Sequence, residues 1–271
     1  MKRKGVLLGG AVVIALAIAL GCWFGLHRGT EYLSIRDKII VDDGDTLHFE
    51  NQLVNLHSGN STNKVRLLGI DAPENGQDGY EEAKAFLESH VGLSERTIYM
   101  KVPDEPEDQL GTWKRLLALV YLDKACEESL NKMLIEEGLA IIYKQPKSLR
   151  DTEAVSDTLL DAQVQAAFNR KGRWNADRQV VIAAIRYWGV PDKVVLANRG
   201  DSIVSLNGWR VIDKNPKEDR VFNLEGEIGP EEQRSFSTST TRPVWNDHGD
   251  TAELYDAQGI LVDSYQYKGP G

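Results

Sequence analysis

The apolar pattern of this 271-residue chain changes character once and does not change back. From Ile35 to Trp174, strand-like runs alternate with stretches of helical period. From about Gln179 onward the helical period is gone. Short apolar runs remain, cut by turn signals at Asn198–Arg199–Gly200, Asn207–Gly208 and Gln258–Gly259. Mixed elements followed by strands alone imply two architectures in series, an α+β unit and then an all-β one. The length allows one or two domains. Two cysteines, Cys22 and Cys126, can supply neither a disulfide framework nor a Cys-rich zinc site, so each unit needs its own apolar core.

Ahead of both units lies Gly5–Leu26, 22 residues without a charge, preceded by Lys2, Arg3 and Lys4. At ~1.5 Å per residue a helix of that length crosses a ~30 Å hydrocarbon core. It exceeds the roughly 7–15 apolar residues of a signal peptide. Residues 1–28 are therefore expected to be an uncleaved membrane anchor, with a cleaved signal as the alternative. The basic residues hold the first end in the cytoplasm, and residues 29–271 then lie outside the cytoplasmic membrane in either case. The formal net charge is −9, and residues 30–179 alone carry −9. That excludes a protein that coats nucleic acid through a broad basic surface.

Within the α+β unit, Lys38–Glu50 reads as two strand pieces around an Asp-Gly turn, Lys64–Ile70 and Arg96–Val102 as strands, and Trp113–Leu122 as a fifth. Helices are expected over 79–91, around Leu130–Leu134 up to Gly138, and over roughly 152–170. The polar stretch Leu53–Asn63 reads as a hairpin loop.

Two acidic clusters stand out, Asp42-Asp43-Gly44-Asp45-Thr46 at a tight turn and Asp71-Ala72-Pro73-Glu74 where a buried strand ends. Carboxylates converging from two loops suit a hard cation such as Ca²⁺. Arg66 and Arg115 begin otherwise apolar strands, where an unpaired guanidinium would be costly. Two arginines, a cation site and a spare carboxylate make a constellation able to hydrolyse a phosphodiester. Strand parity poses a difficulty. Arg66 and Asp71 are five apart, so an ideal pleat sends them to opposite faces. A bulge near Gly69, or an end to the strand before Asp71, has to bring them together.

Val41-Asp-Asp-Gly-Asp-Thr46, Arg66-Leu-Leu-Gly-Ile-Asp-Ala-Pro-Glu74, Arg115-Leu-Leu-Ala118 and the close at Gly172-Arg173-Trp174 resemble staphylococcal-nuclease-like (thermonuclease) domains. The resemblance covers about residues 36–175. It implies an OB-type five-stranded β-barrel with three helices, and Ca²⁺-dependent hydrolysis of DNA and RNA with little sequence preference. Carried over by position, Asp45 and Asp71 would be the calcium carboxylates, and the backbone carbonyl of Ala72 a further ligand. Glu74 would orient or deprotonate the attacking water. Arg66 and Arg115 would grip the phosphate, for which the guanidinium fork is suited. Asp43 would support the metal shell without binding directly. The chain departs from the family pattern Asp-x-Tyr-Gly-Arg in having Gly111-Thr112-Trp113-Lys114-Arg115, with Lys114 where glycine is usual.

The later half, about residues 180–268, resembles a lamin-tail domain in Val194–Asn198, Leu206-Asn-Gly-Trp209, Trp245–Asp250 and Gly259–Asp263. This implies an all-β immunoglobulin-like sandwich with Leu206, Trp209, Trp245 and Leu254 facing inward. Arg199-Gly200-Asp201 is the adhesion tripeptide, expected here as an ordinary turn. Cys126 is expected to begin a helix and to be a structural thiol. The resulting expectation is a nuclease domain over 35–175 and a sandwich over 180–268, with DNA and RNA as substrate. The membrane would be a partner through the N-terminal helix, and the sandwich would have an unidentified ligand. A catalytically idle nucleic-acid-binding or adhesion protein at the cell surface is the rival.

Overall fold

The computed structural model describes residues 32–56, 59–144, 152–188, 191–214, 220–237, 244–246 and 249–268. The expected membrane anchor at 1–28 lies outside them. Among the described residues no helix is long and apolar enough to cross a membrane.

The first unit is built on β1 (Leu33–Asp37), β2 (Ile39–Asp43), β3 (Thr46–Phe49), β6 (Lys64–Leu67), β8 (Arg96–Lys101) and β9 (Leu116–Tyr121). They form one sheet in the order β1-β8-β9-β6-β3-β2. All pairs are antiparallel except β6 with β9. That parallel pair sets Arg66 opposite Leu117 and leaves Arg115 one residue before its strand. Alternation does the sorting. Leu47, Phe49, Val65 and Leu67 are buried, whereas His48, Lys64 and Arg66 lie on the other face. The arrangement is the OB-type sheet expected, with six strands where the sequence showed five, because Leu33–Asp37 pairs along β8. The expected hairpin in the polar insertion is β4 (Val54–Asn55) paired with β5 (Ser61–Thr62).

Among the described residues three α-helices accompany the sheet: α1 (Tyr80–Val91), α2 (Leu130–Glu136) and α3 (Thr152–Phe168). Ala83, Leu87 and Val91 recur on one face of α1 and are buried. Ser129 caps α2 by accepting the Lys132 amide. Cys126 precedes this helix instead of opening it. Burial pushes its thiol up, Lys101 opposes and Asp123 adds, so the thiol is not activated.

Asp37 closes the unit at one end. Its buried carboxylate accepts the backbone amides of Lys38 (2.8 Å), Asn51 (2.8 Å) and Gln52 (2.9 Å), and the Asn51 side chain (3.0 Å). Burial alone would raise the Asp37 carboxyl, but these bonds hold it below the usual range. A folded pKa below the unfolded one stabilises above about pH 4, and that contribution is lost as pH falls through the folded value. Asp37→Ala is expected to cost roughly 1–3 kcal/mol at neutral pH, read by denaturant unfolding, and to flatten the acid limb of the stability profile.

The second unit holds β11 (Val180–Arg186), β12 (Lys193–Asn198) and β17 (Gln233–Ser237) in one sheet, and β15 (Arg220–Asn223), β14 (Arg210–Asp213), β18 (Gly249–Tyr255) and β19 (Leu261–Lys268) in another. A short pair, β13 (Val204–Ser205) with β16 (Glu227–Ile228), lies beside them. The inner residues form a sandwich-like core. Leu206, Trp245 and Leu254 are buried as expected, and Trp209 is only half-buried against that core.

The two cores are continuous across the junction. Arg199 ties them. Its guanidinium donates to the carbonyls of Ala167 (3.2 Å), Trp174 (2.7 Å), Ala176 (2.7 Å) and Arg178 (2.7 Å). Four backbone acceptors around one buried guanidinium leave nothing to present to a receptor. Arg199 of the tripeptide Arg199-Gly200-Asp201 is therefore a junction element.

Candidate active site

The turn between β2 and β3 is where the acidic cluster takes shape. The Asp43 carboxylate accepts the amide of Asp45 at 3.0 Å, closing the turn on itself. Gly44 sits so close to the neighbouring elements that a Cβ there would come within 2.8 Å of the Ala72 and Ala83 methyls. Only glycine fits. The turn can thus press Asp45 against the segment that carries Asp71.

That segment resolves the parity problem. β6 ends at Leu67, Gly69 turns with φ +76°, and the two-residue strand β7 (Ile70–Asp71) begins afresh. The turn is pinned by Asn131 of α2, whose buried amide donates to Leu68 (2.7 Å) and Ala118 (3.2 Å) and accepts from Val120 (3.0 Å). Tyr143 adds a bond from its amide to the Gly69 carbonyl at 2.8 Å. Asp71 returns to the face of Arg66, and the Arg66 guanidinium donates to Asp71 Oδ1 at 3.0 Å.

Arg66 also pairs with Asp45 Oδ2. Asp45 is almost fully buried, and the same oxygen accepts the Ala72 amide at 2.9 Å. Arg115 enters from the start of β9 and donates to the Thr46 hydroxyl at 3.2 Å. Electrostatics gather the remaining members. Burial pushes the Arg66 guanidinium below its ordinary value, Asp71 opposes that, Arg115 adds to it, and Asp43 and Glu74 oppose it in turn. Asp43, Asp45, Asp71, Glu74, Arg66 and Arg115 therefore share one place, with Arg66 at its centre.

Asp42 is diverted from it. Its oxygens are taken by His48 (2.5 Å) and Lys64 (2.8 Å). Burial would raise its carboxyl, but the bonds and charges of Lys64 and His48 hold it below the usual carboxylate range. Glu74 is exposed, and its backbone amide is held by the Gln77 side chain at 2.8 Å. Ala72 is buried, and its amide is the group engaged with Asp45. Lys114, standing where the family pattern has glycine, keeps a left-handed backbone at φ +57°, as does Trp113 at +61°. The turn presenting Arg115 survives the substitution at a cost of about 1 kcal/mol. Trp113 is 79% exposed beside it.

The family implies a metal, and the donors can be tested against one. Asp45 and Asp71 offer hard, anionic oxygens with no sulfur or imidazole among them, the chemistry that favours Ca²⁺ or Mg²⁺ over Zn²⁺. Among the described residues no group of three or more His, Cys, Asp or Glu side chains is gathered tightly enough to cage a metal. The set fits a cation held by two carboxylates, main-chain oxygen and water, and does not fit an all-side-chain cage.

Residues 64–176 match the family described as Staphylococcal nuclease homologue, and residues 175–269 match the Lamin Tail Domain. The chain carries a staphylococcal nuclease homologue domain followed by a lamin tail domain. The nuclease match takes in Arg66, Asp71, Ala72, Glu74 and Arg115. It begins after the Asp42–Thr46 turn, so the place of Asp45 rests on its contacts with Arg66 and Ala72. Two relatives match part of the chain. One is "Uncharacterized endonuclease" of Haemophilus influenzae, 33% identical over 105 residues, which are 39% of this chain and 50% of that protein. The other is "Probable endonuclease LCL3" of Komagataella phaffii, 24% identical over 156 residues, or 51% of this chain and 68% of that one. The match thus spans about half the length of the Haemophilus protein.

Two residues that matter to the site were not legible in the sequence. Asn131 and Gln163 look like ordinary polar positions on amphipathic helices, yet both are fully buried and hydrogen-bonded to strands. An uncharged amide on a helix gives no periodic signal of its own.

Proposed function

We propose that the chain is a phosphodiester hydrolase, a Ca²⁺-dependent endonuclease that cuts DNA and RNA with little sequence specificity. The observation that carries this reading is Arg66, a buried guanidinium held between Asp45 and Asp71, with Arg115 and Glu74 close enough to act on it. A core arginine needing only charge balance would be served by one carboxylate. Here two arginines and four acids converge over the central strands β6 and β9. The nuclease-homologue match and the names of the two relatives support the same reading.

In this proposal Asp45, Asp71 and the Ala72 carbonyl hold the cation, which when bound supplies positive charge against a phosphate oxygen. Arg66 and Arg115 orient the phosphate through paired N–H groups and stabilise the charge that develops on it. Glu74 stands on the exposed side, where water arrives, and takes its proton. These contacts are all to phosphate, which carries no base identity, so selectivity is expected to be low. The acidic surroundings imply few phosphate contacts and a shallow dependence on salt. By the sequence pattern of residues 1–28, the site would work outside the cytoplasmic membrane.

The full-length chain is expected to cut a defined single-stranded DNA and the matching RNA at many positions, as resolved on a sequencing gel. Cleavage of neither, with binding retained, would favour the idle binding protein. Cleavage at one sequence alone would contradict the low selectivity.

A further inference from the structure

Asp71 sits on a ribbon too small to hold its own shape. Among the described residues β7 pairs only with β10 (Ile141–Ile142), setting Asp71 opposite Ile141 and Ile70 opposite Ile142. Two residues against two are marginal, because a lone short hairpin does not hold in water. The Ile142 amide faces away from β7, and a buried amide left without an acceptor is costly. Gln163 of α3 supplies that acceptor. Its Oε1 takes the Ile142 amide at 2.6 Å, and the residue is fully buried.

The other end of the same side chain leaves the nuclease-homologue domain. Gln163 Nε2 donates to the Ala183 carbonyl of β11 at 2.7 Å and to the Tyr265 hydroxyl of β19 at 3.2 Å. A second link runs beside it. The Lys144 amide donates to the Tyr187 hydroxyl at 3.2 Å, and the Tyr187 ring stacks on Tyr267 at 4.5 Å with the planes 8° apart. The Tyr187 and Tyr265 phenols lie near enough to Asp71 to feel its charge. The sandwich therefore stands directly behind the ribbon that presents Asp71.

We propose that Gln163 is a positioning residue of the hydrolytic site, and that the lamin tail domain is through it a structural half of that site. This rests on the reading of Asp71 as a site residue. With both ends of the amide engaged, the rotamer of Gln163 is fixed and so is the height of β10. β7 follows through its pairing, and Asp71 follows β7. Without the sandwich bonds the amide can turn, and the ribbon loses its anchor at Ile142, keeping on that edge the link from Lys144 to Tyr187.

The test is amide hydrogen exchange on the full-length chain, with calcium titrated by calorimetry. Gln163→Met keeps the volume and removes all three bonds. It is expected to speed exchange at Ile70, Asp71 and Ile142 about ten- to hundredfold, leave β8 and β9 unchanged, and weaken calcium binding about tenfold. Tyr265→Phe removes a single hydroxyl in the sandwich, and it is expected to speed the same amides by a smaller factor. It also serves if Gln163→Met fails to fold. Unchanged exchange in the ribbon, or exchange rising equally in β8 and β9, would overturn the proposal. If the wild-type chain neither binds calcium nor cuts, the nuclease reading fails, while exchange in the ribbon still decides the role of Gln163.

Discussion

Arg66→Ala is expected to abolish measurable cleavage and to loosen the fold at the same time. The guanidinium balances Asp45, which is buried, and Asp71, which is nearly so. Removing it leaves two carboxylates facing each other without a counter-charge, and breaking such a buried pair costs about 3–5 kcal/mol. The loss of a donor aimed at developing phosphate charge costs at least about 10²–10³ in rate. The two effects can be separated. Calcium bound between Asp45 and Asp71 would replace the missing positive charge, so the ion should restore part of the lost stability without restoring the rate. Arg66→Lys is a useful companion. It keeps the charge but not the fork, and should recover most of the stability and little of the activity. Denaturant unfolding with calcium and with chelator, beside single-turnover cleavage, reads both. An Arg66→Ala protein with near-normal rate would remove Arg66 from the chemistry.

Glu74→Gln should show the opposite profile. Glu74 is exposed, and among the described residues its carboxylate makes no fold-sustaining hydrogen bond, so stability should move by less than about 0.5 kcal/mol. As the base for the attacking water its loss should lower kcat about 10²–10⁴-fold. KM should barely change, because the arginines and the cation do the gripping. The pH–rate profile should lose the limb that reports the base. A drop in kcat accompanied by an equal rise in KM would instead make Glu74 a binding group. These two variants together distinguish a residue that holds the site from one that acts in it.

Much of this site could be read before the fold was known, because its parts lie in three short segments. Asp45, Asp71, Glu74, Arg66 and Arg115 were singled out by residue type and spacing, and the structure brings them together. What spacing could not say was how. The parity conflict between Arg66 and Asp71 disappears because Gly69, at φ +76°, ends one strand and starts another. Asn131 holds that turn from a helix about sixty residues later. β1 escaped notice because it is only five residues long, and its alternation shows just two apolar positions, Leu33 and Ile35, before it pairs with β8. Arg199 was legible only as part of a turn, and its real partners are four carbonyls at the junction, which no local pattern displays. Local chemistry marks the reacting groups, and distant packing decides their geometry.

The junction also changes what the second domain means. Sequence pattern suggested a separate module that binds some ligand of its own. The structure instead shows one continuous core, Arg199 clamping the end of α3, and Gln163 reaching from the β7–β10 ribbon into the sandwich. A sandwich built in this way can take part in shaping the site as well as in binding elsewhere.

The central claim is that these groups hydrolyse phosphodiesters with calcium between Asp45 and Asp71. It is tested most directly by incubating the full-length chain with single-stranded DNA in the presence of calcium and, in parallel, of a calcium chelator. The account predicts rapid cleavage in calcium and none in chelator, with activity returning when calcium is added back. Cleavage at the same rate in chelator, or no cleavage in calcium, would contradict it.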